Sequence, residues 1–142
     1  MTTYPTVPMT DTNLHEQRAP APAPVLALAA DLIFASRIRA TATAVGASVH
    51  IVRSAEELIA RARATAPRLV LVDLEARAGD LPGAIRQLRA TPETAAVPIV
   101  AFASHTNREA IEAARAAGAS RVLARSAFVR ELPALLAEPA AE

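Results

Sequence analysis

From position 25 to position 137 the chain repeats one pattern five times: a short apolar run, then a longer amphipathic segment. No other feature restricts the fold as strongly. A run of four or five Val, Leu, Ile and Ala residues is short for a buried helix and suits a strand covered on both faces. Such strands, alternating with helices, build a parallel sheet, and right-handed crossovers wind the helices onto both of its sides. The predicted strands are Val25–Leu28, Ser48–Val52, Leu69–Asp73, Ile99–Ala103 and Arg121–Ala124. The expected fold class is therefore α/β: a doubly wound, five-stranded parallel sheet of order 2-1-3-4-5 with five helices.

Local signals punctuate the helices. The first is predicted over Asp31–Val45, with Ile33, Ile38, Ala42 and Val45 on its core side and Gly46 as its C-cap. Ser54-Ala55-Glu56-Glu57 has capping-box spacing and opens a helix through Ala64, with Pro67 just beyond it. A loop holding Gly79 and Pro82 leads into a third helix that ends at Ala90. Thr106-Asn107-Arg108-Glu109 has the same capping spacing and opens a helix to Ala117, closed by Gly118. The last helix is predicted from Phe128 to Ala137, with Pro133 either kinking it or standing in its first turn.

Composition narrows the chemistry. The 142 residues include 36 alanines and only 3% aromatics, so the core is expected to be aliphatic. The absence of cysteine excludes a disulfide scaffold, a thiolate metal site and a cysteine nucleophile, and fits a cytoplasmic protein. All 15 basic residues are arginine, which excludes Schiff-base and phosphate-loop lysines. Residues 25–137 carry 14 Arg against 10 Asp and Glu, a modest surplus spread over several helices. The Arg61, Arg63, Arg86 and Arg89 side chains are expected on solvated helix faces, and no nucleic-acid or membrane partner is expected. His15, His50 and His105 lie too far apart in the pattern to form a metal cluster.

The domain is expected over 25–137. Residues 1–24 hold five of the 11 prolines and end in an Ala-Pro repeat, so they are expected to form a disordered tail, and 138–142 a short C-terminal one. The N-terminal segment lacks the basic start and apolar run of a signal peptide.

In a doubly wound sheet, functional groups gather at the carboxyl ends of the strands, beside the point where strand order reverses. That directs attention to Ala29–Asp31, Asp73–Glu75, Ala103–His105 and Arg125. Here the chain resembles a known family. Arg68-Leu69-Val70-Leu71-Val72-Asp73-Leu74, Val97-Pro98-Ile99-Val100-Ala101-Phe102 and Ala116-Ala117-Gly118-Ala119-Ser120 are similar, in order and spacing, to segments of the CheY-like receiver domains of bacterial response regulators. The resemblance implies a flavodoxin-like fold and a non-enzymatic signalling role in a two-component system.

It also implies a site of five parts: an acidic pair after the first strand for Mg²⁺, a phosphoaccepting aspartate, a hydroxyl after the fourth strand, a lysine after the fifth, and a switching aromatic. Asp73 matches the phosphoacceptor. The acidic pair falls on Ala29 and Ala30, with Asp31 next in line as a substitute or simply as a first-turn acid. The hydroxyl position falls on Ala103, with Ser104 beside it. The lysine falls on Arg125, with Ser126 where the family has proline, and the aromatic on Val122.

A hard cation needs several oxygen ligands, so no resident cofactor is expected and Mg²⁺ affinity should be about millimolar or weaker. Two uses of Asp73 remain open: phosphorylation, or a strand-end carboxylate in a standing pair with Arg125. The favoured expectation is a degenerate, stand-alone receiver that works by protein–protein contact. The partner is expected to be a histidine kinase, another regulator, or a second copy. The dimer face would be formed by the fourth helix, fifth strand and fifth helix, with Arg108, Glu112, Arg115, Arg121, Arg125 and Arg130, and with Leu132, Leu135 and Leu136 adding apolar surface if exposed. The alternatives are a working phosphorelay receiver and, more weakly, a small flavodoxin-like cofactor binder. The latter lacks a glycine-rich phosphate loop at Ala29-Ala30-Asp31 and has few aromatics to stack a flavin.

Overall fold

The computed structural model describes residues 23–137; the two expected tails lie outside the described residues but for Ala23 and Pro24. Five strands, β1 (Val25–Leu28), β2 (Val49–Val52), β3 (Leu69–Asp73), β4 (Ile99–Ala103) and β5 (Arg121–Ala124), alternate with five helices. The helices are α1 (Leu32–Val45), α2 (Ala55–Thr65), α3 (Leu81–Ala90), α4 (Arg108–Ala117) and α5 (Arg125–Ala137). All strand pairs are parallel and their order is β2-β1-β3-β4-β5, as the pattern requires.

The sheet is central because β1, β3 and β4 are buried along their whole length. Alternate side chains feed two cores. Leu26, Leu28, Val70, Val72, Ile99 and Ala101 pack against α2, α3 and α4, around Leu58, Ile85, Leu88 and Ala114. On the other face, Val25, Ala27, Leu71, Val100 and Phe102 meet α1 and α5 through Phe34, Ile38, Phe128, Leu132 and Leu136. All three phenylalanines sit in this second layer. Phe102 and Phe128 are stacked with ring centroids 3.8 Å apart, and Phe34 leans on both at 5.1 and 5.8 Å.

Capping fixes where the helices begin. Asp31 lies just outside α1, where its carboxylate accepts the Ile33 and Phe34 N–H groups at 2.8 and 3.3 Å. Ser54 accepts from the Glu57 N–H at 3.0 Å, and the Glu57 carboxylate reaches back to the Arg53 N–H at 3.0 Å. Asp80 caps α3, and Pro82 stands inside its first turn rather than in the preceding loop, because a missing N–H costs nothing there. Gly46 and Gly118 close α1 and α4 with left-handed φ of 74° and 115°.

Five further expectations are corrected. Ile33 is 81% exposed, and the core stripe of α1 is Phe34, Ala35, Ile38 and Ala42. Residues 33 and 38 lie about 140° apart around a helix, whereas 34, 38 and 42 repeat at i+4. Asn107, not Thr106, caps α4, accepting the Ala110 N–H at 3.3 Å; Thr106 instead shares a hydroxyl hydrogen bond with Ser104 at 2.9 Å. The last helix starts at Arg125, three residues before Phe128, directly from the end of β5, so Pro133 falls in its interior. Leu132 and Leu136 are buried against the sheet and Leu135 packs partly on the same core, so they add no apolar patch. Arg89, finally, is no solvated side chain. Its guanidinium donates to the carbonyls of Gly118 (2.9 Å), Ala95 (2.9 Å) and Val97 (2.6 Å) and to the Ser120 hydroxyl (3.0 Å).

Candidate functional site

Strand register brings the carboxyl ends of β3, β4 and β5 level. Asp73 lies beside Phe102, and Ala103 beside Ala124. Asp73, the last residue of β3, is 3% exposed. Its Oδ1 accepts the Glu75 N–H at 3.0 Å and the Arg125 Nη2 at 3.2 Å. The same Nη2 donates to Glu75 Oε1 at 3.2 Å, so one guanidinium nitrogen serves two carboxylates. The guanidinium carbon lies 4.8 Å from the Phe34 ring centroid and 5.7 Å from that of Phe102, so the aromatic layer forms its floor. Arg125 takes this position because α5 starts there, directly after β5.

Glu75 extends the network. Its Oε2 accepts the Ser104 N–H at 3.0 Å and the Asn107 Nδ2 at 3.2 Å. Asn107 is the cap of α4, so a chain of polar contacts runs from β3 through Glu75 to the start of that helix. The two carboxyls titrate in opposite directions. Burial pushes the Asp73 pKa up; the Glu75 N–H and Arg125 oppose this, while the Glu75 and Asp31 charges add to it. For Glu75, burial also favours the neutral form, but the Ser104 N–H, the Asn107 amide and Arg125 together hold its pKa below the usual carboxylate range.

The other residues singled out from the sequence are distributed as follows. Ala29 is buried, with its N–H on the Val52 carbonyl, and Ala30 is exposed. Asp31 is near enough to Asp73 for its charge to be felt there, but its Oδ1 is engaged with the first turn of α1. Ala103 is fully buried, and the Ser104 hydroxyl is occupied by Thr106. Val122 packs partly buried on the α2–α4 side of the sheet, away from the charge cluster. Arg125 turns into the cluster and therefore leaves the α4–β5–α5 face. On that face Arg121 pairs with Glu131 at 2.9 Å.

Two contributors had no assigned role in the sequence: Glu75, and the Phe34–Phe102 floor. A carboxylate two residues beyond a strand carrying its own terminal carboxylate was the available signal for Glu75. The floor required knowing that β4 and α1 meet.

These residues do not suit a hard divalent cation. At the end of β1 two alanines offer no side-chain oxygen, and Asp31 is used as a cap. Among the described residues no group of three or more His, Cys, Asp or Glu is arranged to hold a metal ion. The position beside Asp73 is held by a guanidinium instead.

No family model matches the chain. No curated protein matches it in sequence. Solved structures do. The chain is similar to the receiver domain of the sensor histidine kinase PA1611 from Pseudomonas aeruginosa, which carries magnesium in its active-site cleft, with 23% identity, a TM-score of 0.73, and coverage of 82% of this chain and 95% of that one. It is similar to the chemotaxis response regulator CheY4 of Vibrio cholerae at 19% identity and TM-score 0.71, covering 82% and 97%. It also resembles the phosphorylated cyanobacterial phytochrome response regulator RcpA at 19% identity and TM-score 0.69, covering 82% and 90%. The chain thus has the fold of response-regulator receiver domains. Among the described residues no helix is long and apolar enough to cross a membrane.

Proposed function

We propose that the chain is a receiver-like signalling module of the two-component type, not an enzyme, that works in the cytoplasm through contact with a protein partner and without phosphorylation. One observation carries this reading: Arg125 is 3.2 Å from a carboxylate, Asp73, that is 3% exposed. A phosphoryl group in transfer needs a metal ion and a cation to neutralise its charge. Here the cation is already engaged and the metal ligands are missing.

The partner is a histidine kinase, another regulator, or a second copy docking on α4, β5 and α5, where Arg108, Glu112, Arg115, Arg121 and Arg130 are on the surface. Intact mass after incubation with acetyl phosphate and Mg²⁺ tests the reading, with Asp73→Asn as control. No adduct is expected on either protein. A single phosphoryl adduct on the parent, absent from the variant, would replace this reading with that of a working phosphorelay receiver.

A further inference from the structure

We infer that Glu75 is a built-in ligand: its carboxylate fills an oxyanion site formed by the Ser104 N–H, the Asn107 side-chain amide and the Arg125 guanidinium. The inference rests on the proposed reading of the Asp73–Arg125 pair as a closed site, and it names what closes it.

The geometry has the features of ligand recognition. Both carboxylate oxygens are used, Oε1 by Arg125 at 3.2 Å and Oε2 by Ser104 at 3.0 Å and Asn107 at 3.2 Å. The three donors come from two segments: the β4–α4 turn, which holds both Ser104 and the capping Asn107, and the first residue of α5. Glu75 itself lies two residues past β3. No element supplies both the carboxylate and a donor, so the contact exists only when the three loops are in register. Arranged charge and an N–H aimed at one point are what a small oxyanion requires.

Two physical effects keep a free anion out while Glu75 is present. A tethered carboxylate competes at an effective concentration of about millimolar or more. An incoming anion would also face both Glu75 and Asp73 across a single guanidinium, and like charges at that range repel. The consequence concerns α4. Asn107 both caps that helix and binds Glu75, so the start of α4 is fixed by a residue in the chain, with no dependence on an added group.

The test uses inorganic phosphate, and acetate as a carboxylate, titrated at constant ionic strength into the parent, Glu75→Ala, and Glu75→Ala with Arg125→Met, observed by ¹H–¹⁵N spectra and Tm. In Glu75→Ala the Ser104 and Asn107 signals are expected to move saturably and Tm to rise; the parent and the double variant should not respond. A parent that responds as strongly as Glu75→Ala, or a Glu75→Ala protein that does not respond, overturns the inference.

Glu75→Gln keeps an acceptor for Ser104 and guards against a folding failure. Its Ser104 amide should stay protected from hydrogen exchange, whereas in Glu75→Ala exchange should speed up about tenfold or more. Equal exchange in the two variants also overturns it. Inorganic phosphate is no phosphoryl donor, so these results are independent of the acetyl phosphate experiment, and failure of this inference is distinguishable from failure of the proposed function.

Discussion

Two arginines lie at opposite edges of the same sheet and are held in opposite ways. Arg125, at the carboxyl edge, is satisfied by two carboxylates and lies over aromatic rings. Arg89, at the amino edge, donates to three carbonyls and a hydroxyl, drawn from the α3–β4 connection and the α4–β5 turn. Among the described residues no ion pair involves Arg89, and burial lowers its pKa. The difference separates a staple from a site. Backbone carbonyls cannot change charge or leave, so Arg89 ties segments together permanently. Carboxylates can be protonated, exchanged or displaced, so the Arg125 cluster responds to its surroundings.

The surroundings of Arg89 are built for it. A Cβ on Gly118 would lie 2.9 Å from the Arg89 Cγ, and φ at Gly118 is +115°, so only glycine fits that turn. The Ser120 hydroxyl that receives Arg89 also accepts the Ile99 N–H at 2.9 Å, which secures the start of β4.

The largest effect should therefore come from Arg89→Met. It strands several carbonyls and should cost about 3 kcal/mol, which denaturant melts would register as a lower midpoint at an unchanged slope. Arg89→Lys should lose most of the same amount, since one ammonium cannot span the fork. A loss below about 1 kcal/mol would make Arg89 an ordinary surface arginine and dissolve the contrast.

Arg125→Met should cost less, about 1 kcal/mol at neutral pH, because the side chain is about one-third exposed and water screens the pair. Its cost should shrink in acid as the facing carboxyls are protonated, while that of Arg89→Met should not. Parallel melts across pH would decide between the two patterns.

The two carboxylates give smaller effects of opposite sign. Asp73 has a raised folded pKa, so its ionised form is penalised by folding; the penalty is complete above the folded pKa and vanishes below the unfolded one. Asp73→Asn should thus raise Tm at neutral pH, with the gain disappearing in acid. Glu75 has a lowered folded pKa, so its contribution is present above the unfolded pKa and is lost as pH falls through the folded value. Glu75→Gln should lower Tm at neutral pH and converge with the parent in acid. Shifts of the same sign would show that the two carboxylates act as one group.

The smallest effect should be that of Mg²⁺. Two alanines and a capping aspartate leave too few oxygens, so titration should show binding at about millimolar or weaker. Tight saturable binding that Asp73→Asn abolishes would make the carboxyl edge a metal site and the Arg125 pair a resting state.

Much of this was legible in the chain itself. Strand identity and order followed from runs such as Leu69–Asp73 and Ile99–Ala103, because an apolar run flanked by helical segments leaves one economical way to be buried. Asp73 and Arg125 could be placed at one edge because parallel strands all end on the same side. Glycine at 46 and 118 and serine at 54 marked helix ends, since capping is a local property.

Tertiary structure decided the rest. Arg86 and Arg89 look alike on a helix of alternating polar and apolar residues, yet Arg86 is exposed while Arg89 meets the turn at Gly118, 29 positions away. Leu132 and Leu136 became core once α5 lay on Phe34 and Phe102, and Ile33 became surface although it is as apolar as Ile38. Glu75 acquired partners 29, 32 and 50 positions distant. Periodicity and capping act over a few residues and can be read from them. A hydrogen bond between distant loops depends on the angle and depth at which whole helices pack, which are set by the sum of all core contacts rather than by any one segment.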